Sequence, residues 1–483
     1  MSDTAVMQAV SESKAEAKPG ASSEYKGQYN GPSNVSTTNA CKLCTPLGAT
    51  LAFKGVEGAV SFLHGSQGCA TYMRRYIISH FREPMDIASS ALGEKNAIYG
   101  GGPNLKKGLL NAMQKYGAGV IGVATTCLTE TIGDDVARLL TEFREEFRDL
   151  PLAELVHVST PSYSGTHMDG FHGAVKAMAD QLCPGNKEDA APANSRVNLF
   201  SGMVSPADIR HLKEICRAFG VEPILLPDYS ETLDGPALLE YENIPSGGTS
   251  VADIRAMSGA RASIEFGRAI THQDTAGSSL NGRFDVPLFR LGLPMGIRET
   301  DSFFAALKSV TGVETPRELA LERGRYVDAL VDGHKYVSGL KAVVYGEEDL
   351  CIGLTSFLAE IGIKPVLVAT GAKNRNLAAH IDAACGSVLR AMPIVREGAD
   401  FFDIVEEAKG LAPDLLVGHS KGQRAARDWN IPLLRVGFPI HDRFGGQRLL
   451  HLGYRGAQNL FDRLVNLVLE KKQNDSDIGY GYL

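Results

Sequence analysis

The chain has 483 residues, of which 44% are hydrophobic and 22% charged, and its formal net charge is −7. This composition is ordinary for a globular protein with several cores, and the negative charge argues against a general nucleic-acid-binding role. No stretch reaches the roughly 18 uncharged apolar residues of a membrane span, and the N-terminus lacks the basic and apolar regions of a secretory signal. We therefore expect a cytoplasmic protein of about three domains.

The N-terminal segment, residues 1–38, is rich in Ser, Ala, Lys, Glu and Gly and has few large apolar side chains. Such a composition cannot bury enough apolar surface to offset the entropy lost on ordering. We expect a disordered tail, or one that orders only when it wraps a partner.

After residue 38, apolar runs typical of strands alternate with amphipathic stretches typical of helices. In the first block, a helix candidate at Leu105–Tyr116 precedes a strand candidate at 119–126. A second strand candidate, Glu154–Val158, precedes a helix near Gly170–Leu182. This alternation predicts an α/β fold with parallel sheets flanked by helices.

A polar segment with Pro and Gly, residues 183–192, predicts a domain boundary, and the alternation resumes beyond it. Further predicted strands are Arg196–Phe200, Glu222–Leu226, Lys341–Tyr345, Pro365–Ala369, Asp414–Val417 and Pro432–Val436, and further helices are Pro206–Phe219, Leu350–Ile361 and Gly456–Glu470. We predict three Rossmann-like domains at residues 39–190, 191–332 and 333–483, the last with a C-terminal helix and tail.

Eight cysteines occur in the chain. In a cytosolic protein of this size they are expected to be thiols or metal ligands rather than disulfides. The pair Cys41-Lys-Leu-Cys44 could be half of a zinc site, a redox pair or neither, and no second pair follows at zinc-finger spacing. Four others are expected to be buried and inert: Cys183, Cys216, Cys351 and Cys385.

The remaining cysteines, Cys44, Cys69 and Cys127, each lie in a glycine-rich or strand-end setting. Soft thiolates are the ligands of iron–sulfur clusters, and neighbouring glycines let the backbone approach a bulky inorganic core. Loops at the carboxyl ends of parallel strands form the usual ligand crevice, and a helix after Cys69 would direct its positive end to an anionic cluster. The pattern predicts an iron–sulfur site.

The motifs around these cysteines are Cys-Thr-Pro-Leu-Gly-Ala, His-Gly-Ser-Gln-Gly-Cys and Thr-Thr-Cys-Leu-Thr-Glu, with the cysteines 25 and 58 residues apart. In this order they resemble the β-type subunits of nitrogenase component 1. The resemblance covers nearly all of the chain after residue 38 and includes His80–Pro84, Tyr99–Asn104, Gly133–Asp135, Thr160–Ser162, Gly292–Ile297, Gly418–Gly422 and Arg435–Ile440.

The resemblance implies the nitrogenase component 1 fold and an α2β2 heterotetramer with an α-type subunit. Cys44, Cys69 and Cys127 would supply half the ligands of an interfacial P-cluster, [8Fe-7S], with Cys69 able to bridge its two halves. Ser162 matches a serine that can coordinate the oxidised cluster, although a turn serine after Pro161 is an equal interpretation. An ATP-dependent iron-protein reductase would dock transiently, and the active-site cofactor would belong to the α-type chain.

Two kinds of complex fit this resemblance. In one, the chain is the β subunit of a catalytic reductase and relays electrons. In the other, it is a NifN-like scaffold subunit for cofactor biosynthesis, which often keeps fewer cysteines and holds a [4Fe-4S] cluster. All three cysteines favour the relay, whereas Gly445–Arg448 and Ile478–Leu483 resemble scaffold-type or divergent members. A cluster-free subunit would leave the three cysteines unexplained.

Basic side chains near Cys69 have both functional and structural interpretations. His64 could donate a hydrogen bond to a group beside the cluster or be a structural loop histidine. Arg74, Arg75 and Arg82 could stabilise an anionic cluster, face an acidic partner or be solvated.

Two further motifs carry no predicted chemistry. Gly100–Gly102 lacks both the Lys-Ser/Thr of a P-loop and the spacing of a dinucleotide fingerprint, so no nucleotide is assigned. Asp134 and Asp135 are expected to begin a helix rather than to form an acid pair.

Overall fold

Three parallel sheets covered by helices organise the residues that this computed structural model describes, 41–240 and 242–478. The first sheet has the order β2-β1-β3-β4, with β1 at Ala59–His64, β2 at Ile87–Ser89, β3 at Val120–Thr125 and β4 at Glu154–Val158. Its helices are α1 (Thr45–Phe53), α2 (Gln67–Phe81), α3 (Asn96–Tyr99), α4 (Gly102–Tyr116), α5 (Cys127–Ile132), α6 (Val136–Glu146) and α7 (His167–Leu182). Strands β1 and β3 are buried throughout because helices cover both faces of the sheet.

The second sheet has the order β6-β5-β7-β8 and is also parallel. Its strands are β5 (Val197–Phe200), β6 (Pro223–Leu225), β7 (Ala262–Phe266) and β8 (Leu288–Leu291). The accompanying helices are α8 (Pro206–Ala218), α9 (Val251–Ala256), α10 (Ala276–Phe284), α11 (Gly296–Thr311) and α12 (Arg317–Val337).

The third sheet has the order β11-β10-β9-β12-β13. Its parallel strands are β9 (Lys341–Gly346), β10 (Lys364–Thr370), β11 (Ile394–Arg396), β12 (Leu415–Gly418) and β13 (Leu433–Arg435). Its helices are α13 (Glu348–Glu360), α14 (Leu377–Cys385), α15 (Phe401–Lys409), α16 (Gln423–Asp428) and α17 (Gly453–Asp475). Short 3-10 turns lie at Lys187–Asp189, Met257–Gly259, Ala269–His272, Ser420–Gly422 and Gly446–Arg448.

Local sequence accounts for where the helices begin. Helix α8 starts at Pro206, whose fixed φ suits a first turn, and Ser205 caps it by accepting from the N–H of Asp208. Helix α7 begins at His167, three residues before the predicted start, because Thr166 and Asp169 form a capping box.

The predicted α/β fold with parallel sheets flanked by helices is confirmed. Each predicted domain segment contains one sheet, while the boundaries at residues 190 and 332 stay predictions. The predicted N-terminal tail, residues 1–38, and the last five residues, 479–483, lie outside the described residues. Across the ranges that are described, none of the helices combines the length and apolarity that a membrane crossing needs.

Candidate metal centre

The three predicted ligand cysteines all lie at helix N-termini on the first sheet. Cys44 is the N-cap of α1, Cys69 lies in the first turn of α2, and Cys127 is the first residue of α5. Cys44 and Cys127 are exposed and Cys69 is half-buried. The positive ends of α1 and α2 favour negative charge at Cys44 and Cys69.

Close backbone contacts bring the ligand loops together. A Cβ on Gly65 would lie 2.0 Å from Oγ1 of Thr126, so the loop before Cys69 lies directly against the loop before Cys127. Thr129 Oγ1 also donates to the carbonyl of His64 at 2.9 Å. Glycine at position 65 is therefore required by the approach of the two loops.

Helix α1, whose N-cap is Cys44, is held against α7 by a pair of glycines. A Cβ on Gly48 would lie 1.6 Å from the His167 carbonyl oxygen, and one on Gly170 would lie 1.8 Å from the Thr45 carbonyl oxygen. No other residue could occupy either position at this helix separation.

Ser162 links two of the cysteine loops. Its backbone N–H donates to Cys127 Sγ at 3.3 Å, and its Oγ accepts from the N–H of Thr45 at 3.1 Å. Thr45 directly follows Cys44. Burial raises the pKa of the Cys69 thiol, and the nearby Cys44 and Cys127 thiols raise it further. The Cys69 thiol therefore lies within electrostatic range of the Cys44 and Cys127 thiols.

His64 and Asp134 build the loop behind the cysteines. His64 is fully buried, with Nδ1 3.0 Å from Ser90 Oγ and Nε2 3.0 Å from Asp134 Oδ2. Burial lowers the pKa of His64 despite the Asp134 carboxylate. Among the interpretations of His64, these contacts fit the structural one.

The carboxylate of Asp134 also binds the backbone of the glycine loop Gly100–Gly102 at the start of α4. Asp134 accepts from the Gly101 N–H at 3.2 and 3.0 Å, and Asp135 caps α6 by accepting from the N–H of Arg138. The two carboxylates thus have separate structural roles, and the glycine amide already has an anionic partner from within the chain.

The arginines near Cys69 face outward. Arg74 and Arg75 are exposed on α2, and Arg74 lies 4.0 Å from Asp86. Arg82 ends α2 and donates to the His441 carbonyl oxygen at 3.5 Å.

A buried polar group beneath the Cys44 loop was not predicted. Cys41 is buried, with Sγ 3.8 Å from His419 Nε2, so it faces a different environment from the exposed Cys44. His167 accepts from the N–H of Leu43 and contacts Glu347. Burial raises the pKa of Cys41 to about 12. The only sequence signal was the Thr166-His-Met-Asp169 capping box, which places His167 at a helix start.

An iron–sulfur cluster fits the donor set. All eight cysteines are free, as predicted, and the three at this surface are the soft ligands that iron–sulfur chemistry uses. Within the described ranges, no group of three or more His, Cys, Asp or Glu side chains could share one ion. A multi-iron cluster instead spaces its thiolates, because they bind irons at different places around its core.

Comparison with known proteins bears on this site. The family model for nitrogenase component 1 type oxidoreductases matches residues 44–469. The nitrogenase molybdenum-iron protein β chain of Clostridium pasteurianum is 34% identical over 438 residues, covering 90% of this chain and 94% of that one. This chain belongs to the nitrogenase component 1 family, as a β-type member. The corresponding protein of Methanococcus maripaludis is 35% identical over 461 residues, covering 91% and 96% of the two chains.

Solved structures agree with the family and its fold. A chain described as "Nitrogenase Cp1 at pH 6.5" superposes with a TM-score of 0.89 at 32% identity, covering 94% of this chain and 98% of that one. A chain of "Nitrogenase Cp1 at pH 5" gives a TM-score of 0.67 at 15% identity, which supports the fold alone. The β-type chain is therefore a subunit of an oxidoreductase, as the sequence predicts.

Proposed function

We propose that this chain is the β subunit of a nitrogenase-like reductase complex and that Cys44, Cys69 and Cys127 hold half of an interfacial P-cluster-type cluster, [8Fe-7S]. When bound, the cluster relays electrons from an ATP-dependent iron-protein reductase toward a cofactor in the α subunit. One observation carries the proposal: contacts through Gly65, Thr126 and Ser162 join the three cysteine-bearing loops at one edge of the first sheet, where Cys44 and Cys127 are exposed.

A partner chain is needed to complete such a site. Three thiolates are too few for an eight-iron cluster, and the exposed Cys44 and Cys127 leave room for ligands from a second polypeptide. Large side chains are exposed in the same first domain, including Tyr72 on α2 at 61%, Tyr99 at the end of α3 at 83%, and Tyr163 beside Ser162 at 68%. Exposed aromatic groups are typical of protein interfaces. The proposed partner is an α-type subunit in a cytoplasmic α2β2 heterotetramer.

Ser162 is proposed as an additional ligand when the cluster is oxidised. Its backbone N–H already contacts Cys127 Sγ. Its Oγ accepts a hydrogen bond from the backbone N–H of Thr45. An Oγ with one acceptor bond can turn toward an iron at the cost of that bond, about 1 kcal/mol.

The relay role is preferred to a NifN-like scaffold because all three cysteines are present at one surface and because the relatives described above are named as nitrogenase β chains. The test is to co-express the chain with its α-type partner and purify the complex anaerobically. A relay should hold about eight irons per αβ pair at this site and support ATP-dependent turnover with its reductase.

The alternative outcome has a distinct signature. A scaffold should hold about four irons at this site and release a cofactor to an acceptor protein without substrate reduction. A matched preparation of the β chain expressed without the α-type partner controls for iron that the chain binds by itself.

A further inference from the structure

The backbone around Cys44 is held by hydrogen bonds on both sides of the thiol. On one side, the N–H of Thr45 donates to Ser162 Oγ at 3.1 Å. On the other side, the N–H of Leu43 donates to His167 Nδ1 at 3.3 Å. His167 differs from Ser162 because it connects this loop to the third sheet.

The contacts of His167 assign its tautomer. Because Nδ1 accepts from the amide of Leu43, it carries no proton, and the ring proton lies on Nε2. Nε2 lies 3.3 Å from Glu347 Oε1 and donates to it. The chain of hydrogen bonds therefore runs from Leu43 through the neutral ring of His167 to Glu347, directly after β9.

Both side chains in this chain of bonds are buried, at 4% and 5% exposure. Burial has the largest single effect on the pKa of Glu347 and raises it, but interactions with His167 and His419 and a backbone hydrogen bond together outweigh it, so the pKa lies below its ordinary value. Glu347 thus remains an ionised acceptor that fixes the orientation of the imidazole.

We propose that His167 is a positioning residue for Cys44, which fastens the backbone beside this thiolate to the Glu347 carboxylate and so sets how the thiolate meets the iron–sulfur cluster. The proposal rests on the proposed function. Residues that orient metal ligands through hydrogen bonds commonly change metal affinity or activity by about 10- to 100-fold when replaced.

This role is separable from holding the fold. Helices α1 and α7 are already in contact through Gly48 and Gly170, whose neighbours are backbone atoms rather than the His167 ring. Replacing the ring should therefore alter the Cys44 loop more than the packing of the two helices.

The test uses the full complex with its α-type partner and three variants. His167→Leu removes both hydrogen bonds, whereas His167→Gln can accept at its amide oxygen and donate from its amide nitrogen. His211→Gln is the matched control, because His211 is a buried histidine on α8 that contacts Glu214 and Arg455 instead.

His167→Leu should shift the midpoint potential and the paramagnetic resonance spectrum of the cluster and slow electron delivery about 10-fold. His167→Gln should restore the parental spectrum, and the control should match it throughout. A His167→Leu complex with parental potential and spectrum, or a His167→Gln complex as altered as His167→Leu, overturns the proposal.

If the His167→Leu complex does not assemble, a fourth variant tests the same hydrogen bonds. Glu347→Leu breaks the same chain from its other end with an apolar side chain of similar size, and it should shift the potential and spectrum in the same direction; unchanged values overturn the proposal. Failure of the proposed function looks different, because the parental complex itself would then give no cluster signal, which also removes the basis of the positioning role.

Discussion

Cysteines occupy two contrasting settings in this chain. At the edge of the first sheet, Cys44 and Cys127 are exposed and Cys69 is half-buried, each at the start of a helix. Elsewhere in the described residues, the other cysteines are buried among apolar groups, as expected for Cys183, Cys216, Cys351 and Cys385.

The difference shows what a ligand position requires. Burial raises the pKa of Cys183 and Cys216 to about 12 and that of Cys385 to about 11, so these thiols stay protonated at neutral pH. The pKa of Cys69 is raised by burial too, but also by the two neighbouring thiols, a repulsion that binding a cationic iron would relieve. Exposure and mutual proximity, rather than cysteine content, distinguish the candidate site.

The largest expected effect is on iron content, when a cysteine is removed from the candidate site rather than from the buried core. Cys69→Ala should abolish the cluster's paramagnetic signal and its iron, because no other thiol of this chain can reach that position. Cys351→Ala, the control from a buried helix position, should keep both. Iron analysis with paramagnetic resonance of the purified complex measures this, and normal iron in the Cys69 variant would refute the assignment.

The next largest expected effect is on the rate of thiol labelling. In the full-length chain without metal, this rate should differ between the exposed and the buried cysteines. A maleimide should modify Cys44 and Cys127 at least on the order of 100-fold faster than Cys351, which reacts only after local opening. Because its pKa is raised, Cys69 should need a higher pH than an ordinary thiol for the same rate. Peptide mass spectrometry over time and pH gives these rates. Equal labelling rates of Cys44 and Cys351 would contradict the difference in their exposure.

The helix contact that places Cys44 gives a smaller effect, on stability. Gly48→Val should lower the free energy of unfolding by about 3 kcal/mol or more, because its side chain would overlap the His167 carbonyl. Gly119→Ala is the control, since a Cβ there meets nothing within 4 Å. Denaturant unfolding followed by circular dichroism compares them, and equal midpoints would show that α1 and α7 are not tightly apposed.

The smallest expected effect concerns the link between the loops of Cys44 and Cys127. Ser162→Ala keeps the backbone N–H that contacts Cys127 Sγ but removes the acceptor for the buried Thr45 amide, at a cost of about 1 kcal/mol. Ser164→Ala is the control, because this exposed serine in the same turn donates only to the Pro161 carbonyl. A thermal unfolding midpoint lowered equally in both variants would contradict the linking role.

Sequence patterns predicted the elements whose polarity alternates or whose apolar run is long. The predicted strand Glu154–Val158 has the bounds of β4, and Pro206–Phe219 differs from α8 by one residue. Helix α1 was not predicted because all nine of its residues are buried, which leaves no polar face to create a helical period. Strands β2 and β11 were also not predicted; each has three residues and is only partly buried.

The candidate site was predictable only in part. The three candidate cysteines could be proposed because their motifs are local, with glycine near Cys44 and Cys69 and a strand end before Cys127. The contact between His167 and Glu347 joins residues 180 positions apart, and no pattern in a single sequence specifies such a pairing. The role of Gly65 against Thr126 likewise depends on how two loops meet at the end of adjacent strands.

Anomalous diffraction at the iron absorption edge from crystals of the complex would show where the iron binds. If Cys44, Cys69 and Cys127 hold the cluster, one compact group of iron peaks should lie at the edge of the first sheet, within bonding distance of these three sulfurs and enclosed by the α-type chain. Iron located elsewhere, or bonded to none of these three sulfurs, would contradict this assignment.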